Sequence, residues 1–153
     1  MTGSVHHIPR RRIWGRLLRP SIAGALAFWV VNLAISLTPI AADYRAALSI
    51  AYVPMLLEAV LGGFLIALGV TYCLLRFHDT IPGQSPVLKA ALLSILALVL
   101  MTMLLEVPAK FFTPTPHAIR YFLIGTAFNV LRILALGIVV GRLFGRPDPH
   151  RDI

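Results

Sequence analysis

Charge is scarce in this sequence. Only 13% of its 153 residues are Asp, Glu, Lys or Arg, about half the ~25% usual in a water-soluble domain, while 58% are hydrophobic. That balance excludes a soluble globule. Cysteine occurs once, as Cys73, which excludes an internal disulfide and every multi-cysteine metal or redox motif. Histidine is confined to tails and connections, at positions 6, 7, 78, 117 and 150, so none is placed to hold a haem inside a membrane. No cofactor is expected.

Long apolar runs are abundant instead. They cover 21–40, 47–75, 87–107 and 119–144, and at ~1.5 Å per helical residue each of about twenty residues or more matches the ~30 Å of hydrocarbon in a bilayer. Proline punctuates them. Pro20 is expected to open the first run and Pro39 to close it, Pro54 to kink the second, Pro108 to end the third and Pro147 to stop the fourth. The connections, 41–46, 77–86 and 108–118, are short, so consecutive helices are antiparallel neighbours. The predicted fold is an all-α, integral membrane four-helix bundle. Its parts are a basic N-terminal segment (1–20), a four-span domain (21–145) and a short tail (146–153). Too little chain lies outside the spans for a second core.

Orientation follows from the cations, because positively charged loops are retained in the cytoplasm. Arg10, Arg11, Arg12, Arg16, Arg19, Arg76, Lys89, Arg142, Arg146 and Arg151 fall on one side, and Arg45, Lys110 and Arg120 on the other. Both termini are therefore expected in the cytoplasm, with the plasma membrane of a bacterium or archaeon as the location of this multi-pass chain. Cleavage as a signal peptide is not expected, since the first run exceeds the ~7–15 residues of a signal h-region and Ile40 fits poorly before Ala41 and Ala42.

A net charge of +8 invites a nucleic-acid reading, but membrane topology accounts for where the cations stand. No nucleic-acid partner is expected. Arg10, Arg11, Arg12, Arg16 and Arg19, with Trp14, Leu17 and Leu18 among them, are expected to meet lipid headgroups, either as a topology signal with a Trp anchor or as a short amphipathic turn on the anionic leaflet. Ala67-Leu68-Gly69-Val70 and Ala135-Leu136-Gly137-Ile138 hint at a parallel duplication, a weak match in so biased a composition.

The polar residues inside the spans carry the most information. An ionisable group at the bilayer centre costs about 2.5–3.5 kcal/mol on insertion scales, so each needs a partner or a use. Glu58 in the second span and Arg132 in the fourth lie at nearly the same depth with opposite charge, and they are expected to pair directly. Asn32 in the first span and Asn129 in the fourth share that level, giving a predicted hydrogen-bonded network of Asn32, Glu58, Asn129 and Arg132. Gly62 and Gly69 fall on the Glu58 stripe and are expected to admit a neighbouring backbone. Gly137, Gly141 and Gly145 form a second small-residue ridge for helix packing, turned away from Arg132, that fits either inside the bundle or against a second copy of the chain or a larger membrane protein, the partner being the favoured expectation. Asp43, Glu106 and His117 offer metal-type donors near the opposite surface, but their spacing fits no known site and Lys110 stands four residues from Glu106, so ion pairing is expected there and no metal.

No assembled nucleophile and base stand out, since Cys73 has no histidine in its span; a non-enzyme is expected. The expected role is a non-catalytic interaction or accessory subunit held together by the Glu58–Arg132 network. The alternative is a small transporter or channel subunit with Glu58 as its coupling or substrate-binding group.

Overall fold

The computed structural model describes residues 10–112 and 117–146, and among them every regular element is helical. α1 (Arg10–Ser36), α3 (Tyr52–Arg76) and α6 (Ala118–Phe144) are long single helices. α4 (Pro86–Met101) runs through a π-helical turn (Thr102–Glu106) into α5 (Val107–Phe111), and α2 (Pro39–Ala47) is a short helix between α1 and α3. Four stretches are long and apolar enough to cross a bilayer: Trp14–Ser36, Tyr52–Arg76, Pro86–Phe111 and Ala118–Phe144.

The prolines act differently from expectation at three places. Pro20 does not open a helix but sits inside α1. Next to it the Ser21 hydroxyl donates to the Leu17 carbonyl at 2.7 Å and reaches the Ala67 carbonyl at 3.5 Å, the kind of hydroxyl support that lets a membrane helix carry proline. The basic segment is thus the start of the first long helix and not a separate surface turn. Trp14, Arg16 and Arg19 are exposed; the side chains of Arg10, Arg11 and Arg12 lie outside the described residues.

Pro54 does not kink α3, because the helix begins at Tyr52 and a proline in the first turn removes only an amide that has no helical acceptor. Upstream, Thr38 caps α2 by accepting from the Ala41 amide at 3.3 Å, so residues expected as a plain connection are helical. A left-handed Ser49 (φ 53°) then separates α2 from α3. Pro108 does not end the third span either. The helix widens just before it: the Val107 amide donates to the Thr102 carbonyl, a π-type bond across five residues, which shifts the register around the missing proline donor.

α1 packs along both α3 and α6, and α4 packs along α6; α3 and α4 meet only sparsely. The core joins Phe28 of α1, Ala67, Val70 and Leu74 of α3, Ala90 of α4, and Ile133, Leu136 and Val140 of α6. Gly137 and Gly141 place α6 directly on α4. A Cβ on Gly141 would stand 2.5 Å from the Val87 Cα, and one on Gly137 would collide with the Ser94 side chain; Gly145 rests on Pro86. Of the two placements the sequence allowed for this ridge, Gly137 and Gly141 thus take the one inside the bundle, while Gly145 at the helix end is exposed. At the same end, Lys89 is buried and donates to the His78 carbonyl, fastening the 77–85 connection.

Candidate functional site

α6 projects Asn129 and Arg132 from one face, one turn apart. The Asn129 Nδ2 donates to Glu106 Oε1 at 3.1 Å, and Arg132 Nη1 donates to Asn129 Oδ1 at 3.3 Å. Glu106 is the last residue of the π-helical turn. Its Oε2 lies 3.3 Å from the ammonium of Lys110, one turn further along, in a pair that is largely buried.

Above this pair stands Tyr44 of α2. Lys110 Nζ lies 5.3 Å from the Tyr44 ring centroid, and the ring meets Phe128 and Tyr121 edge-on at 5.8 and 6.0 Å. Gly125 makes the room: a Cβ there would come within 2.8 Å of the Tyr44 hydroxyl and 3.0 Å of Glu106 Oε2. Burial pushes the Tyr44 phenol above its ordinary value of 10.0, with the Lys110 hydrogen bond opposing it. α2 is itself held in place by Arg45, which donates to the Ser36 carbonyl at 2.9 Å and lies over the Tyr52 ring.

Beside the Glu106–Asn129–Arg132 chain lies a partly open cavity of about 310 Å³. Its polar lining is Asn32, Glu58, Glu106, Asn129 and Arg132; Phe28, Met55, Ile66 and Leu105 are among its apolar walls. Asn32 is fully buried, and among the described residues neither its amide nitrogen nor its amide oxygen has a hydrogen-bond partner. Glu58 is exposed at the cavity, and among the described residues no ion pair or hydrogen bond engages it.

The predicted residues thus share one cavity, but not in the predicted pairing. Glu58 and Arg132 do not form a direct ion pair; the acid joined to Arg132, through Asn129, is Glu106. Asn32 belongs to the cavity lining but not to the hydrogen-bonded chain. The reason is rotational. The α3 stripe of Glu58, Leu65 and Gly69 faces away from the core, and a Cβ on Gly62 or Gly69 would meet nothing within 4 Å. Neither glycine admits a backbone within this chain.

Glu106, Lys110 and Tyr44 are the residues that sequence reasoning left out of the site. Reading Pro108 as a helix end left Glu106 at the close of the third span and put Lys110 in the connection after it; the ion pairing expected of these two residues is present, and their four-residue spacing was the available signal that one helix carries both. Asp43, Glu106 and His117 are not grouped as metal donors.

Four apolar spans around a polar interior define the class: this is a small polytopic membrane protein. No known family, curated protein or solved structure matches the chain.

Proposed function

We propose that this protein is a small intramembrane binding protein of the transporter or channel-subunit kind, with Asn32 and Glu58 contacting the solute. The observation that carries this reading is the fully buried Asn32 amide, without a partner, at a cavity that also holds an unpaired carboxylate. Structural glue requires its polar groups to be satisfied, because a half-satisfied buried network is worse for stability than apolar packing. A ligand-binding cavity tolerates such groups. Catalysis is not part of the proposal.

Asn32→Leu and Glu58→Gln in the purified protein test it by thermal unfolding. Asn32→Leu removes two orphaned polar atoms at similar volume and is expected to raise stability by about 1–3 kcal/mol. Glu58→Gln is expected to leave folded yield unchanged. Lower stability in both variants would assign these residues to structural support and end the binding reading.

The outward strip of α3 supports a second reading as an accessory subunit. Gly69 leaves open space there, suited to a helix of a second copy or of a larger membrane protein, whereas Gly62 borders the polar cavity. In that case Gly69→Trp changes the oligomeric state in mild detergent without lowering the melting temperature.

A further inference from the structure

We propose that the cavity binds a small zwitterion, a molecule carrying one cationic and one anionic end on a short apolar frame; this rests on the binding reading above. Two charges at the cavity, Glu58 and Arg132, have no ion-pair partner among the described residues. Glu106 is engaged by Lys110 at 3.3 Å and by Asn129 at 3.1 Å. Arg132 has only the neutral Asn129 as a hydrogen-bond partner, and its Nε has none. Glu58 has no partner among the described residues, and the two opposite charges line one cavity without forming an ion pair.

A lone cation at Glu58 would face the Arg132 guanidinium, and a lone anion at Arg132 would face the Glu58 carboxylate. Either would also bring a net charge into a low-dielectric interior, where an uncompensated ion is strongly disfavoured. A zwitterion adds no net charge and answers both groups at once, its ammonium at Glu58 and its carboxylate at Arg132. Asn32 can donate to one end and accept from the other, which accounts for a buried amide with both atoms free.

Size agrees with this class. At ~30 Å³ per water-sized group, the cavity of about 310 Å³ holds a ligand on the order of ten non-hydrogen atoms. The apolar walls at Phe28, Met55 and Ile66 suit an aliphatic frame. Glu58 is exposed while Asn32 is fully buried, so the cationic end lies at the mouth and the amide at the base.

Thermal unfolding of the full chain in lipid nanodiscs tests the class with named probes. Leucine and glycine betaine are the zwitterions; 3-methylbutylamine and 4-methylpentanoate keep the leucine frame but carry one charge each. At least one zwitterion is expected to raise the melting temperature in a saturable way, with each single-charge analogue about tenfold weaker or more than leucine, the loss of one charge-assisted contact. Glu58→Gln is expected to abolish the preference for leucine over 4-methylpentanoate. The amine or the acid binding as tightly as leucine overturns the proposal in favour of a cation or an anion site. No shift with either zwitterion also overturns it, whereas the binding reading itself falls only if Asn32→Leu and Glu58→Gln are both destabilising.

Discussion

Asn129 is the side chain on which the buried polar chain depends. Its amide accepts from Arg132 and donates to Glu106, so Asn129→Leu leaves two charged groups without that bridge. A loss of about 1.5–3 kcal/mol is expected, the range for a hydrogen bond to a charged group, since Glu106 keeps its Lys110 partner, and chemical or thermal unfolding in detergent measures it. The opposite sign at Asn32, where leucine replaces an amide that bonds nothing, would separate structural from ligand-facing polarity. Tyr44 adds a pH dependence. Its phenol is favoured neutral in the folded protein, with a pKa above the ordinary 10.0 because of burial. The stability it contributes is complete below pH ~10 and lost as pH rises through the higher folded value. Melting temperatures across that alkaline range are expected to fall more steeply for the native chain than for Tyr44→Phe.

Helix packing separates two sets of glycines that look alike in sequence. Gly141 lies against the α4 backbone at Val87, whereas Gly69 meets open space. Gly141→Ala is therefore expected to destabilise by about 1–3 kcal/mol, because one element must shift to accommodate a methyl group. Gly69→Ala is expected to be neutral, or to stabilise by up to ~1 kcal/mol through helix propensity. Equal effects of the two substitutions on the melting temperature would contradict this packing. The third span shows the same dependence on local geometry. Its π-helical turn sets the rotation at which Glu106 leaves the helix, so Pro108 helps to aim an acid while also interrupting the hydrogen-bond ladder.

Across the whole molecule, four spans require both ends of the chain to lie on one side of the membrane. By the cation count that side is expected to be the cytoplasm. Alkaline phosphatase fused to the C-terminus is then expected to be inactive, and active when fused in the 112–117 connection; the reverse pattern would invert the topology. The polar cavity lies among residues of α1, α3, the third span and α6. α3 meets α4 far more sparsely than it meets α1.

The class of protein, the number of spans and the identity of the polar residues were legible in the amino-acid order, because burial in lipid demands long apolar runs and makes every exception conspicuous. Asn32, Glu58, Asn129 and Arg132 stand out on that ground alone. Their partners were not legible. Which acid reaches Arg132 depends on how each helix is rotated about its axis, and a membrane helix apolar on nearly every side gives little periodicity from which to read that rotation. The assembled bundle set it through contacts that are remote in sequence: Gly141 against Val87, Gly125 beside Tyr44, and a widened turn before Pro108 that swings Glu106 toward Asn129. Glu58, nearly two turns into α3 and on the side away from the buried Gly63, was left at the cavity mouth without a partner among the described residues.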